Sequence, residues 1–471
     1  MCSTRTLAAI RVAPRATTAD PRARGGHARR TLRVALRYSF IEGVFSVVMF
    51  ALLQTFAIPA ILALGAAEAG VAKLVAVAAL LSALAQLKAP RLAALAPSRR
   101  TLVVRCVRFQ ALACLAFAGA GFLPAPFAIP AAILAFAGYS VAGSLGQSPW
   151  ASWMSDLVPR RARGRYFGWR NLWVSLIHGV IALPAAFALN AARAGEMAAP
   201  WAAFAAIFAF ASASRLASAG FLARQHEPPP REKLPAKDFS YWQFLRKVRT
   251  SNFARFAIAL AFLNAGAAIA AAFIPVYLLR TLGLDYGTYA LLLTVSLLSS
   301  LLFVRFWGRI IDLYGSRLVL RLVALGVALV PLVYVGPASV PIFIVAYAIG
   351  GAMWSGLNLA AFNYVMEAAT PKRRVRCFAY MNVTIGVLSA TFLMGAGAVA
   401  SRLPVLFAHP LQTLFLASAL LRLAPAIVLG FTIRELSEKP RARAMDVLRE
   451  LPGIRPTTGF LRHRHRPFRR I

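Results

Sequence analysis

Twelve stretches of this chain each hold about 20 predominantly apolar residues in a row, the length an α-helix needs to cross a hydrocarbon core of about 30 Å. They lie at about 40–62, 71–88, 103–123, 129–154, 171–190, 201–223, 254–279, 287–306, 318–336, 341–363, 378–400 and 410–433, the second being the shortest. A backbone inside lipid has no water to bond to, so each run must close its own hydrogen bonds as a helix. An all-α polytopic membrane protein with twelve transmembrane helices is the expected fold class. Composition agrees: 59% of the 471 residues are hydrophobic and 14% charged, against roughly a quarter charged in soluble domains.

The net charge of +38 would in a soluble protein suggest a nucleic-acid partner. Its distribution points elsewhere. About 47 of the 53 Lys and Arg fall in the two tails and in the five inter-helix segments of one face. The others are Lys73, Arg193, Arg215, Arg280, Arg402 and Arg422. This is the positive-inside pattern, and it predicts a multi-pass protein of the cell inner (cytoplasmic) membrane with both termini cytoplasmic. The expected partners of the basic tails are anionic lipid headgroups, with no nucleic acid.

Cys2, Cys106, Cys114 and Cys377 form no C-x-x-C pair and have no His at ligand spacing, so neither metal nor a disulfide framework is expected. No signal sequence is expected before the first apolar run. The Arg-rich tail before it has the bias of an organelle transit peptide, but the equally Arg-rich C-terminal tail makes this a compositional habit. G-x-x-x-x-G-K-[ST], H-E-x-x-H and G-x-S-x-G are all missing from the sequence. Direct ATP use, catalysis and a bound cofactor are not expected.

The segment after the sixth run opens with Glu227-Pro228-Pro229-Pro230, which cannot continue a helix. It splits the chain at about 1–37 (tail), 38–223 (first six helices), 224–253 (linker), 254–433 (second six) and 434–471 (tail). Within the linker, Asp238 to Phe244 is expected to lie as an amphipathic helix at the interface. The halves echo each other. Phe56-Ala57-Ile58-Pro59 matches Ala272-Phe273-Ile274-Pro275; Asp156, Arg163 and Asn171 recur at one constant offset as Glu367, Arg374 and Asn382; Arg215-Leu216-Ala217 matches Arg422-Leu423-Ala424.

Between the eighth and ninth runs stands a polar island, Gly308-Arg309-Ile310-Ile311-Asp312-Leu313-Tyr314-Gly315-Ser316-Arg317, read as a tight cytoplasmic turn. Its spacing G-x-x-x-D-x-x-G-x-R resembles the signature loop of the major facilitator superfamily. Trp153 to Pro159 followed by Arg163-Gly164-Arg165-Tyr166-Phe167-Gly168 and Arg170-Asn171 resembles the turn between helices 4 and 5 of many bacterial members. The equivalent loop of the first half, Pro90 to Arg99, lacks both glycines and the Asp. The resemblance implies two pseudo-symmetric six-helix bundles with a substrate cavity between them near the bilayer midplane, lined by helices 1, 4, 7 and 10.

On this reading Asp312, with Gly308, Arg309, Gly315 and Arg317, forms a gate at the cytoplasmic side, Asp312 pairing with Arg163 or Arg165 or with the start of helix 5. Asp156, Arg163, Glu367 and Arg374 belong to the same gating set. Glu42 on helix 1 is an acid inside a membrane helix: it either titrates in proton coupling or is a structural acid close enough to the interface to stay hydrated. His178 on helix 5 is either a coupling group or a packed histidine. Arg215 and Arg422, deep in apolar surroundings, are expected to tie helices within each half, with solute-anion binding the lesser reading. Gln54, Gln147, Trp150, Asn264, Trp354 and Asn358 are the neutral cavity candidates, suited to an uncharged or amphiphilic solute. Interhelical hydrogen bonding is the competing account of these residues, with Gly143, Gly146, Gly350 and Gly351 serving close helix contact.

The expected function is secondary transport of a small organic solute by a monomer, proton-linked or facilitative. The rival is a sensor or assembly partner of the same shape, which would lack alternating accessibility.

Overall fold

The computed structural model describes residues 21–159, 163–194, 200–228, 240–369, 374–400 and 402–433. Residues 1–20 and 434–471 of the tails and 229–239 of the linker, Asp238 included, lie outside the described residues. The helices run in order: α1 (Pro21–Ala63), α2 (Glu68–Leu95), α3 (Arg99–Gly119), α4 (Ala125–Leu157), α5 (Arg163–Arg193), α6 (Pro200–Arg224), α7 (Tyr241–Arg246), α8 (Asn252–Val276), α9 (Tyr286–Tyr314), α10 (Ser316–Leu329), α11 (Val340–Ala368), α12 (Arg374–Val399) and α13 (Pro410–Ile427). All but α7 coincide with segments long and apolar enough to cross a membrane, twelve in number among the described residues.

The helices outlast the apolar runs at several ends, because a turn of helix beyond the hydrocarbon keeps its own backbone bonds. α2 extends from Glu68 to Leu95, beyond the expected 71–88. The polar island is mostly not a loop: Gly308, Arg309 and Asp312 belong to α9, and the chain turns only at Gly315, whose φ of 91° suits a residue without Cβ. Side-chain caps mark the starts of other helices. Ser98 accepts from the Thr101 amide, Ser251 from Ala254 and Asp285 from Thr288. Ser240 and Gln243 close a capping box on α7, which seats Phe244 in the second bundle and leaves Trp242 exposed.

The pairing of helices repeats between halves. α1 packs on α6 as α8 does on α13, α3 on α4 as α10 on α11, and α2 on α4 as α9 on α11. Each six-helix bundle has its own aromatic core: Phe56, Phe117, Phe204 and Phe208 in the first, Phe256, Trp307 and Tyr364 in the second. The bundles meet along α2 against α12 and α5 against α9. A further cluster crosses this seam, joining Val71 and Ala72 of α2 to Phe273 of α8 and Leu393 and Ala396 of α12. Small residues permit the approach: Gly386 and Gly397 of α12 lie against Ala83 and Ala72 of α2 with no room for a Cβ.

Because successive spanning helices reverse direction, the C-terminal ends of α2, α4, α9 and α11 lie at one face, called the basic face below. The α1–α2 and α8–α9 turns lie at the opposite face.

Candidate functional site

A glutamate one residue before a glycine on α1 anchors the site. Glu42 is 4% exposed, a position a carboxylate holds only with partners. Its Oε2 accepts from Arg170 Nη2 on α5 at 3.1 Å, and its Oε1 lies 3.9 Å from Arg215 Nη1 on α6 and accepts from Ser218 Oγ at 3.4 Å. Glu42 is thus buried and ion-paired rather than hydrated at the interface. Gly43 makes the pairing possible, since a Cβ there would stand 2.5 Å from Arg170 Nη2. Arg170 also donates Nε to the Ser39 carbonyl at 3.2 Å and lies over the Trp150 ring. Arg215 donates Nε to Gln110 Oε1 at 3.1 Å, Nη2 to the same oxygen, and Nη1 to Ser46 and Ser218. One acid therefore holds α1, α5 and α6 together through two cations.

These groups border a cavity of about 650 Å³ formed by α1, α3, α4, α5 and α6, all of the first bundle. It brings together six of the candidate solute, coupling and intramembrane-charge residues named above, Glu42, Gln54, Gln147, Trp150, His178 and Arg215, with Gly143 and Gly146 beside them. It leaves out Asn264, Trp354 and Asn358. Asn264 donates to the Leu260 carbonyl one turn back along α8, Trp354 packs against the second core, and Asn358 is exposed on α11. Arg170, Gln110 and Tyr139 are the lining groups that sequence reasoning passed over. By sequence Arg170 belongs with the basic-face charges, whereas Glu42 on another helix draws it inward.

Arg422, the counterpart of Arg215, is closed off differently. Its guanidinium donates to the carbonyls of Val327 at 3.0 Å and Gly266 at 3.1 Å and to Ser418 Oγ at 2.9 Å, tying α13 to α10 and α8.

At the basic face, Arg309 and Asp312 are exposed on α9. Arg317 donates to the Phe431 carbonyl at 2.9 Å, within its own bundle. Asp156 pairs with Arg99 at 2.6 Å, and Glu227 accepts the amides of Arg99 and Arg100, so α3, α4 and the chain after α6 are clamped together. Glu367 lies exposed near the end of α11. The side chains of Arg163 and Arg374 lie outside the described residues.

The opposite face holds contacts that the sequence reading did not identify. Asn190 at the end of α5 donates to Asp285 Oδ1 at 2.8 Å and accepts the Tyr286 amide at 2.8 Å. Partial burial would raise the Asp285 carboxyl, but hydrogen bonds from Thr288, Asn190 and Gly287 outweigh it and hold the group at about 2. Arg280 donates to the Ala66 carbonyl at 2.7 Å and faces Glu68 at 3.8 Å, and Arg193 lies over the Tyr286 ring. Each of these contacts joins one bundle to the other.

The family model of the Major Facilitator Superfamily matches residues 256–468. The fold is similar to solved transporter structures. The nucleoside transporter NupG, in a mutant form, superposes with a TM-score of 0.68 at 12% identity over 84% of this chain and 100% of that one. A D-xylose-proton symporter gives 0.67 at 13% over 87% and 98%. The xylose transporter XylE from E. coli, in an inward open conformation, gives 0.60 at 13% over 88% and 97%. No curated protein matches the sequence. Residues 256–468 thus match the family model of the Major Facilitator Superfamily, and the twelve-helix fold is similar to that of these carriers.

Proposed function

We propose that this secondary transporter carries a small organic solute across the cytoplasmic membrane by alternating access, coupled to protons at Glu42. Fold and family support secondary transport. The coupling reading rests on one arrangement: the cavity's carboxylate is bonded to arginines on two other helices. Protonating Glu42 removes the charge that ties α1 to α5 and α6 and frees Arg170 toward the cavity. Deprotonation restores the ties, so occupancy of the site and packing of the bundle change together. NupG is named for nucleosides and the symporter for xylose and protons, cargo of the same general kind.

The positive-inside rule places the basic face in the cytoplasm. The Asn190–Asp285 contact then closes the outer side. In the alternate state Asp312 closes the inner side, with Gly308, Arg309, Gly315, Arg317 and the repeated pairs Asp156/Arg163 and Glu367/Arg374. The moving units are residues 38–223 and 254–433, joined by the linker 224–253, in a monomer surrounded by lipid.

Counterflow in proteoliposomes tests this reading. Glu42→Gln should keep solute-for-solute exchange, which needs no net proton movement, and lose accumulation driven by a pH gradient. Accumulation that survives the substitution would remove Glu42 from the coupling.

A further inference from the structure

We infer that the cavity takes the carboxylate of an organic anion and that Arg170 is the group that receives it, an inference resting on the reading of the chain as a solute carrier. Two guanidinium groups and one carboxylate, Arg170, Arg215 and Glu42, line the same space. One positive charge is left over inside a membrane bundle, where an uncompensated charge is costly. A solute carboxylate would neutralise it.

The two arginines are not equivalent. Arg215 uses all three nitrogens on Gln110, Ser46 and Ser218. Arg170 uses Nε for Ser39 and Nη2 for Glu42, and its Nη1 makes no hydrogen bond among the described residues. When Glu42 is protonated, Arg170 can offer the Nη1 and Nη2 edge that binds a carboxylate through two parallel bonds.

A second observation points to a ligand in the same cavity. The Tyr139 hydroxyl is buried, lines the space beside Gln54 and makes no hydrogen bond of good geometry. Left unpaired away from water it costs free energy, and a solute oxygen would satisfy it. The Phe50 ring under Arg215 and the Trp150 ring under Arg170 supply flat apolar walls for the rest of the molecule. The geometry describes a monocarboxylate with a compact apolar or aromatic body. Arg422 does not compete for it, because main-chain carbonyls hold its guanidinium and it lines no part of this cavity.

Matched pairs separate charge from shape: benzoate with benzamide, and hexanoate with hexanamide, each at tens of millimolar. The full chain in nanodiscs should be stabilised against heat by the acids and not by the amides. Arg170→Lys, which keeps the charge and loses the fork, should weaken the response about tenfold or more. The double variant Glu42→Gln/Arg170→Gln, which keeps the net charge of the cavity and leaves Arg215 on its neutral partners Gln110, Ser46 and Ser218, should fold and abolish it. Equal stabilisation by acid and amide, no response to either acid, or a response that persists in the double variant would overturn the inference. Counterflow of neutral solutes that survives Arg170→Gln would overturn it while leaving the carrier reading intact. Absence of counterflow with every solute, in sealed vesicles of folded protein, would remove the carrier reading as well.

Discussion

Asn190, at the end of α5, and Asp285, at the start of α9, share a 2.8 Å hydrogen bond that joins the two bundles at the face opposite the basic one. The Tyr286 amide bonds back to Asn190, so the contact has two points. Asp285 also caps α9 through the Thr288 amide. The residue that starts a helix in the second bundle therefore also fastens that bundle to the first.

Replacing Asp285 with Ala should loosen this face. The contact is exposed and screened, so about 1 kcal/mol, or roughly a fivefold shift in the conformational balance, is expected. Spin labels at Arg193 and Thr281 should report a wider distance distribution. Acid should act in the same direction in the unaltered chain. The clasped carboxyl titrates at about 2 against an ordinary value of 3.8. Its contribution is complete above 3.8 and is lost as pH falls through about 2.

Arg215→Ala removes a cation that is 6% exposed and bonded to α1 and α3. It leaves Gln110 without its donors and reduces the compensation of Glu42. A loss of about 3 to 5 kcal/mol in thermal stability is expected for one broken member of a buried ionic cluster. Adding Glu42→Gln should recover part of it; a fully additive double variant would show the two groups to be uncoupled.

Gly43→Ala tests the close approach of α5 to α1. The added methyl carbon would meet Arg170 Nη2 at 2.5 Å, so the guanidinium must move off Glu42. The chain should remain folded, with pH-driven accumulation reduced at least about tenfold, because Glu42 loses its nearest partner. Unchanged accumulation would mean that the Glu42–Arg170 pair has no part in transport.

Asp312 is exposed here, so Asp312→Asn should change thermal stability by less than about 0.5 kcal/mol. On the proposed gate its effect belongs to the state in which the basic face closes, where a charge-assisted contact is worth about 1 to 3 kcal/mol. Cysteine probes on that face should become more reactive in the variant; unaltered reactivity would end the latch assignment.

The scaffold was readable because lipid leaves a long apolar run one way to satisfy its backbone. Repeated residues such as Arg215 and Arg422 also foretold that the halves correspond. They did not foretell that the two arginines do different work: Glu42 and Gln110 surround the first, while carbonyls of Gly266 and Val327 enclose the second. That difference depends on which helices touch, and no local pattern carries it. The same holds for Asn190 and Asp285, each unremarkable among its neighbours and meaningful only once α5 lies beside α9. Gly308 and Asp312 misled in the other direction. Polar residues at a membrane surface look like a loop, yet α9 continues through both of them to Tyr314.

Alternating exposure of the cavity is the claim on which the others depend, and Gln54, which lines it from α1, is the place to measure it. In a variant with the four native cysteines replaced, Gln54→Cys should react with an impermeant thiol reagent from the basic side and, in a separate population, from the opposite side. Asp285→Ala should raise the reaction from the opposite side and lower it from the basic side. Reaction from one side alone, unmoved by Asp285→Ala, by solute or by pH, would contradict the account.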